Sequence, residues 1–159
     1  MYLIVAVDAN WAIGKGGDQL CYIPADLKRF QQLTTGHPVL LGRKTLQTFP
    51  GGRPLKNRRN LILSSRPDFA PEGGEVFPTL EAALAQAGED TFVIGGESIY
   101  RQTLDQCQVA YVTRIHHAFP GADTFFPDLD QDPAWGVVEK AGPFSYQDLT
   151  YSYVTYRRL

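Results

Sequence analysis

The sequence predicts an α/β protein with a central, twisted, mostly parallel sheet of about eight strands and with helices on both faces. Short apolar segments rich in Val, Ile and Leu recur along the 159 residues, and helix-like segments separate most of them. The last two apolar segments have only a turn between them. They predict an antiparallel hairpin at one edge of the sheet.

The predicted strands of the parallel part are short and continuously apolar, as expected of strands that are buried on both faces. They comprise residues 2–9, 38–42, 60–64, 91–94 and 109–116. The edge hairpin is predicted from residues 135–141 and 149–158, because only Gly142, Pro143, Phe144 and a few polar residues separate them.

Four helices are predicted, each between two of the strands, and this alternation implies crossover connections between parallel strands. They comprise residues 25–33, 43–49, 80–87 and 98–104. Residues 49–54 and 67–74 are rich in Pro and Gly and predict loops that are too short to separate domains. We therefore expect residues 1–159 to form a single domain.

A further loop is predicted for residues 10–22, which contain Gly14, Gly16 and Gly17. A glycine-rich loop of this length in a compact domain is often a mobile cover over an active site. The segment therefore indicates where a catalytic cavity is to be sought.

Composition is that of an ordinary soluble globular protein, with 43% hydrophobic and 20% charged residues. The N-terminus is apolar but lacks a basic region, so it predicts a first strand and not a signal peptide. No apolar run approaches the roughly 20 residues that span a bilayer. Cys21 and Cys107 form neither a disulfide framework nor a metal-ligand pattern, which favours a reducing cytoplasm and no metal.

Basic residues are concentrated in residues 43–66, which hold seven of the fifteen Lys and Arg residues and no Asp or Glu, although the net charge is −2. A local positive field on an acidic protein favours small anionic ligands over nucleic acid, which usually binds basic domains. A solvated basic loop explains the charge equally well. The seven residues are Arg43, Lys44, Arg53, Lys56, Arg58, Arg59 and Arg66.

Two junctions between a predicted strand and helix could hold phosphate. At Gly95 and Gly96 the missing Cβ atoms allow a ligand to approach the backbone, and the helix start offers free N–H groups. A tight turn would need the same glycines. The second junction, at residues 41–45, adds two cations and a hydroxyl. Together at one sheet edge they suit a pyrophosphate with an additional phosphate, as in NADP.

Asp26 is the candidate acid, in the first turn of a helix that begins at Pro24. A carboxylate there commonly serves only to favour the helix dipole. Leu27 and Phe30, however, share its face of the helix. A carboxylate beside apolar groups at a pocket wall loses hydration and binds its proton more tightly, which suits acid chemistry near neutral pH.

These residues, in their order and spacing, resemble the dihydrofolate reductase family along nearly the whole chain. Each matching segment is weak alone, and eight in register make a strong combined signal. The segments are Ile13-Gly14, Ile23-Pro24-Ala25-Asp26-Leu27, Leu41-Gly42-Arg43-Lys44-Thr45, Gly52-Arg53-Pro54-Leu55 with Arg58, Ile62-Leu63-Ser64-Ser65-Arg66, Val93-Ile94-Gly95-Gly96 with Tyr100, Tyr111-Val112-Thr113 and Asp123-Thr124-Phe125-Phe126-Pro127.

The resemblance implies NADPH-dependent reduction of 7,8-dihydrofolate to 5,6,7,8-tetrahydrofolate, by hydride transfer to C6 and protonation at N5, in a cytoplasmic monomer that also binds antifolates. The implied catalytic residues are Asp26, Thr113 and Tyr22. The implied substrate site comprises Val5, Ala6, Asp26, Leu27, Phe30, Phe49, Leu55, Arg58, Ile94 and Thr113. The implied cofactor site comprises Ala6, Ile13, Gly14, Gly42, Arg43, Lys44, Thr45, Leu63, Ser64, Ser65, Arg66, Ile94, Gly95, Gly96, Glu97, Ser98, Ile99 and Tyr100.

The sequence departs from the family pattern just before Asp26. Cys21 stands where the family usually has a tryptophan that helps to order a water molecule, and Tyr22 is the candidate to replace it. We expect Cys21 to lie beside the active site and to act in packing. The loop before it lacks a methionine to cover the nicotinamide, a place that Leu20 could take.

Two alternatives remain open from sequence. One is another NADPH-dependent reductase on the same fold, such as the reductase of riboflavin synthesis, which would need a substrate-phosphate site and not the pair Arg58 and Asp26. The other is a non-catalytic module that binds NADPH or nucleic acid through the basic window. Asp26 and the lack of interleaved aromatic and basic residues disfavour the second.

Overall fold

The computed structural model describes residues 1–159, in which ten strands alternate with four helices. The strands are β1 (Tyr2–Val7), β2 (Ala12–Gly14), β3 (Val39–Gly42), β4 (Asn60–Leu63), β5 (Gly74–Phe77), β6 (Phe92–Gly95), β7 (Val109–Ile115), β8 (Thr124–Phe125), β9 (Trp135–Tyr146) and β10 (Leu149–Arg158). The helices are α1 (Pro24–Thr34), α2 (Arg43–Leu46), α3 (Leu80–Gln86) and α4 (Glu97–Thr103), with 3₁₀ turns at Pro50–Gly52 and Leu104–Gln106.

The main sheet has eight strands in the order β5-β4-β3-β6-β1-β7-β10-β9. All neighbours from β5 to β7 are parallel, whereas β10 is antiparallel to β7 and to β9. The predicted fold class, a mostly parallel sheet with an antiparallel C-terminal hairpin at one edge, is confirmed. No helix combines the length and the apolar character required to cross a membrane.

Alternating side chains of β1 divide the core between the two faces of the sheet. Leu3 belongs to the larger apolar cluster, which also contains Ala83 of α3 and Ile99 of α4. Ile4 belongs to a second cluster, against which Phe30 of α1 packs. Because successive side chains of a strand point to opposite faces, these clusters place helices on both sides of the sheet, as predicted.

Several predicted bounds are wrong. Strand β9 continues to Tyr146 and does not end at residue 141, because Gly142 and Pro143 lie at a register shift within the paired strand and not in the hairpin turn. The sequence predicts no strand at β5, because this edge strand is short and only half-buried and gives no apolar run, and the predicted loop of residues 67–74 ends where β5 begins, at Gly74. Residues 10–22 are not only loop, since β2 pairs there with β8. Helix α2 ends at Leu46 and not at residue 49, because Pro50 disfavours helical geometry at Phe49, whose ψ is 156°.

Asp8 fixes the chain where β1 ends and turns towards β2. Its side chain is 1% exposed. One carboxylate oxygen accepts from the N–H groups of Asn10 and Ala12, at 2.8 and 2.9 Å, and the other accepts from Phe119 at 3.0 Å. A single buried carboxylate therefore joins the end of β1 to β2 and to the segment after β7.

We expect Asp8→Ala to lower the free energy of unfolding by about 3 kcal/mol. Hydrogen bonds to a charged group contribute about 1.5–3 kcal/mol each in context, and three N–H donors lose their acceptor together. Denaturant unfolding at pH 7 measures the change. Asp105→Ala, at an exposed position without side-chain hydrogen bonds, is the control and should stay within about 0.5 kcal/mol of the wild type. A loss below about 1 kcal/mol for Asp8→Ala would contradict the anchoring role.

Candidate active site

A cavity of about 980 Å³ opens at the edge of the sheet where the parallel strands end. Each of five neighbouring strands contributes a residue at or near its carboxyl end, namely Ala6 of β1, Gly42 of β3, Leu63 of β4, Gly95 of β6 and Thr113 of β7. Ligands of open α/β sheets bind in this position, outside the carboxyl ends of the strands. The order of the strands thus brings distant parts of the sequence into one site.

All the residues predicted for catalysis, substrate and cofactor line this cavity except four, which are Phe49, Leu55, Arg58 and Arg66. Phe49 and Leu55 pack against the second apolar cluster, beside the site. Arg66 is exposed on the loop after β4, and its N–H donates to the Ser64 hydroxyl at 3.2 Å. Ligand roles for these four residues, and for the predicted residues that do line the cavity, stay predictions.

Arg58 lies at the far end of α1. Its Nη1 donates to the Thr34 hydroxyl at 3.0 Å, and its Nε donates to the Lys56 carbonyl at 2.9 Å. Burial lowers the pKa of the guanidinium from its ordinary value. Nη2 has no hydrogen-bond partner in the protein, so one edge of a firmly held guanidinium remains available.

Asp26 is held against the sheet by Thr113, whose hydroxyl donates to one carboxylate oxygen at 2.6 Å. Burial raises the pKa of Asp26 above the usual value, while the hydrogen bond from Thr113 and the charge of Arg29 act in the opposite direction. The predicted increase in proton affinity is confirmed in direction. Asp26 is therefore a desolvated carboxyl group in the cavity wall, and groups of this kind are candidates for acid–base chemistry.

Leu27 and Phe30 provide the apolar surface near this carboxyl group. Leu27 is 56% exposed and lines the cavity, and Phe30 lines it from the next turn of α1. An exposed leucine in a concave wall that also carries a desolvated carboxyl group is typical of a site for a largely apolar ligand with a polar end.

The glycine junctions meet in the other half of the cavity. Gly95 has a φ of 136°, where L side chains are disfavoured. A Cβ atom at Gly95 would lie 3.1 Å from the Thr45 hydroxyl oxygen, and one at Gly96 would lie 3.2 Å from it. The starts of α2 and α4 are therefore close together, with Arg43 and Lys44 beside them. The surface formed by Gly95 and Gly96 between them carries no side chains and is called the glycine floor. Free N–H groups, close backbone approach and cations suit a phosphorylated dinucleotide.

The segment that replaces the family's tryptophan lies at the cavity wall. Cys21 is half-buried, and burial and, secondarily, the negative charge of Asp26 raise the pKa of its thiol. The expected position of Cys21 beside the site is confirmed. Tyr22 is 59% exposed, and its hydroxyl donates to Asp18 at 3.3 Å, so its contact is with the loop and not with Asp26. A role of Tyr22 in ordering water stays a prediction.

Several cavity residues escaped the sequence analysis. Thr79 and Leu80 follow β5, and the failure to predict that strand hid the carboxyl end at which they lie. Ile115 lies two residues after Thr113 on β7 and thus on the same face, so the period of a strand could have found it. Thr48 lies after the early end of α2, which the longer predicted helix obscured.

The fold and the cavity together define a class of protein, the dinucleotide-dependent oxidoreductases. Such an enzyme combines a parallel sheet covered on both faces, a phosphate site such as the glycine floor with its two adjacent cations, and an acid–base group such as the desolvated carboxyl group in the same cavity.

The chain belongs to the dihydrofolate reductase family, whose sequence model matches residues 1–158. It is 37% identical over 157 residues to the dihydrofolate reductase of Bacillus subtilis strain 168, covering 93% of this chain and 91% of that protein. It is 41% identical over 141 residues to dihydrofolate reductase type 3 of Salmonella typhimurium, covering 87% and 85%. The structure of a dihydrofolate reductase from Enterococcus faecalis, complexed with NADP(H) and RAB-propyl, has a TM-score of 0.86 and 36% identity, covering 99% of this chain and 95% of that one.

Membership of this family confirms the predicted activity, which is reduction of 7,8-dihydrofolate to 5,6,7,8-tetrahydrofolate, and the predicted cofactor, NADPH. The riboflavin-pathway reductase and the non-catalytic module are not favoured, because the match to dihydrofolate reductases extends over almost the entire chain.

The environment of Cys21 gives a labelling prediction. In Asp26→Asn the negative charge beside the thiol is removed, so the pKa of Cys21 should fall and its alkylation by iodoacetamide at pH 8 should accelerate about twofold to fivefold. Mass spectrometry of the modified peptides measures the rate. Cys107 is an internal control, because it is buried and burial raises its pKa to about 11, so it should react slowly in both proteins.

The same assay locates Cys21 relative to ligand. Saturation with NADPH and methotrexate should slow its labelling because the thiol lies in the cavity wall. An unchanged rate in Asp26→Asn would contradict the electrostatic coupling, and an unchanged rate with both ligands would place the thiol outside the ligand site.

Proposed function

We propose that Asp26 is the group that delivers the proton of dihydrofolate reduction. The observation that carries this assignment is a desolvated carboxyl group, fixed by Thr113 at 2.6 Å, in the wall of the large cavity. NADPH, when bound, supplies a hydride to C6 of the substrate. The protein must therefore bind the pterin in a fixed orientation and bring a proton to N5.

Thr113 donates to one carboxylate oxygen of Asp26. A carboxylate has about four acceptor sites, so it can still bind N3 and the 2-amino group of the pterin. Burial raises the pKa of Asp26, which is the direction that proton delivery near neutral pH requires. The proton reaches N5 through water that enters beneath residues 10–22. Tyr22 would order this water after its hydroxyl leaves Asp18.

The remainder of the substrate lies along α1. From Asp26 to Thr34, which anchors Arg58, eight residues of helix span about 12 Å. That length suits a ligand whose pterin lies at one end and whose glutamate lies at the other. Leu27 and Phe30, with Phe49 and Leu55 behind them, form the apolar walls, and Arg58 binds the α-carboxylate. Val5, Ala6 and Ile94 contribute strand-end contacts to the pterin.

The cofactor lies across the glycine floor. Gly95 and Gly96, with the start of α4 through Tyr100, face the pyrophosphate and nicotinamide, and Ala6, Ile13 and Gly14 meet the nicotinamide amide. Arg43, Lys44 and Arg66 bind the 2′-phosphate. Leu63, Ser64 and Ser65 complete the adenosine end, together with Gly42 and Thr45 of the other junction and Glu97, Ser98 and Ile99 of α4.

We further propose that the chain functions as a single-domain monomer in the cytoplasm, binds antifolates in the dihydrofolate site and binds neither nucleic acid nor membranes. The continuous eight-stranded sheet supports one domain. Two free thiols suit a reducing compartment. The Enterococcus faecalis relative, complexed with NADP(H) and RAB-propyl, supports a cavity that accommodates cofactor and a second ligand together.

Asp26→Asn should retain NADPH binding and lose most turnover at pH 7, by about 100-fold or more, because the amide cannot deliver a proton. Activity relative to the wild type should recover at low pH, where dihydrofolate itself becomes protonated. Steady-state kinetics from pH 5 to 9 measure both effects. Asp105→Asn, at an exposed position outside the cavity, is the control. Near-normal turnover of Asp26→Asn at pH 7 would refute the assignment.

Arg58→Lys should raise KM for dihydrofolate about 5- to 160-fold and leave KM for NADPH nearly unchanged. A point charge cannot reproduce a planar fork, and a lost charged hydrogen bond corresponds to about 1–3 kcal/mol. Arg59→Lys is the matched control, because the neighbouring guanidinium binds Glu75 at 2.5 and 2.8 Å on the exposed surface. Equal weakening of both ligands would place Arg58 outside the folate site.

A further inference from the structure

Arg29 lies one turn beyond Asp26 on α1, and its guanidinium rests on aromatic rings. Its Cζ atom is 4.1 Å from the ring centroid of Tyr153 and 5.8 Å from that of Tyr111. Residues three apart on a helix are neighbours on its surface. A positive charge is therefore held beside the carboxyl group that the proposed mechanism uses as the acid.

The two rings belong to the strand surface that also presents Thr113. Tyr153 of β10 lies directly opposite Thr113 of β7 in the sheet register, and directly opposite residues share a face. Tyr111 precedes Thr113 by two residues and shares that face as well. Helix α1 therefore docks on this surface through two adjacent polar contacts, Asp26 on Thr113 and Arg29 on Tyr153.

The charge of Arg29 is not neutralised by a carboxylate. The ion pairs in the structure all lie elsewhere, and they are His37–Asp90, Arg59–Glu75 and Arg114–Asp130. A guanidinium on an aromatic face keeps its full charge and loses part of its freedom to move. The charge of Arg29 is thus held in one position and acts on the ionisable groups near it.

We propose that Arg29 is a positioning residue for proton transfer, and that its cation, held on Tyr153 one helical turn from Asp26, acts on the Asp26 carboxyl group. The inference rests on the proposed role of Asp26. The groups that face this carboxyl group are Thr113 from β7, Tyr153 from β10, Cys21 from the segment before α1 and Arg29 itself.

Among these groups Arg29 is the one that carries a fixed positive charge. Burial favours the protonated acid and the cation favours the carboxylate, so the two act on the pKa of Asp26 in opposite directions. Burial and the nearby charge of Asp26 raise the pKa of Tyr153 to about 12, so its phenol is neutral at working pH. The role of Tyr153 is to hold the Arg29 guanidinium on its ring.

The test compares Arg29→Gln, Arg29→Lys and the wild type with Lys28→Gln as control. Lys28 carries the same charge on the next residue, is exposed and lies outside the cavity. Two readouts are followed against pH in the same proteins. One is the ¹³C chemical shift of the Asp26 carboxyl carbon in the NADP⁺ complex, assigned by its loss in Asp26→Asn. The other is the rate of hydride transfer in a single turnover.

We expect Arg29→Gln to move the midpoints of both profiles to higher pH, by about 0.5–1 unit for a partly exposed cation. The sign follows because removal of the cation favours the protonated acid. Arg29→Lys should restore most of the wild-type midpoint, and Lys28→Gln should leave both profiles unchanged. KM for dihydrofolate should change little in all three variants, since the effect acts on the proton.

The role of Tyr153 is tested separately. Tyr153→Phe keeps the ring and should leave both midpoints unchanged, whereas Tyr153→Leu should shift them in the direction of Arg29→Gln. Identical carboxyl titrations of Arg29→Gln and Lys28→Gln would overturn the inference, and an unshifted Tyr153→Leu would overturn the part assigned to the ring. A shifted carboxyl titration with an unshifted hydride-transfer profile would support Arg29 and refute Asp26 as the acid.

Discussion

The convergence of parallel strands at one edge is the constraint on which the site depends. Strand β6 lies between β3 and β1, and β7 lies on the other side of β1, so the carboxyl ends of strands far apart in sequence become neighbours. Residues as far apart in sequence as Ala6 and Thr113 then line one cavity. The antiparallel hairpin extends the sheet on the other side of β7 and places Tyr153 beside Thr113 on the same face. Catalytic geometry is thus a property of strand order, and the helices add the charged groups.

The loop beside the cavity is tied to the same framework at more than one point. The N–H of Gly16 donates to Asp123 at 3.0 Å, where β2 and β8 meet. The N–H of Phe125 donates to Glu97, the first residue of α4, at 2.7 Å. The loop of residues 10–22 and the start of α4 are therefore both hydrogen-bonded to the segment that contains β8. Movement of either part is constrained by the other.

Local patterns carried most of the sequence-based prediction, and some of its failures were local as well, since Pro50 accounts for the early end of α2 and the period of β7 for Ile115. Other failures were non-local. Gly95 and Asp26 were identified because a glycine at a helix start and a carboxylate beside apolar residues have chemical meaning within a few positions. Thr79 was missed because its place depends on the half-exposed edge strand β5, which has no apolar signature. Arg29 could not be singled out, because its importance rests on Tyr153, a residue more than 120 positions away that is brought close only by sheet pairing.

The burial of Asp26 also has a consequence for folding. A carboxyl group whose pKa is raised in the native state binds its proton more tightly there than in the unfolded chain. Its favourable contribution to stability is complete below the unfolded pKa and is lost as the pH rises through the native one. Above the native pKa the empty protein therefore carries a local thermodynamic penalty at the buried carboxylate of Asp26. A ligand that places hydrogen-bond donors on this carboxylate relieves the penalty, so occupancy should tighten the whole framework by more than its contacts alone would suggest.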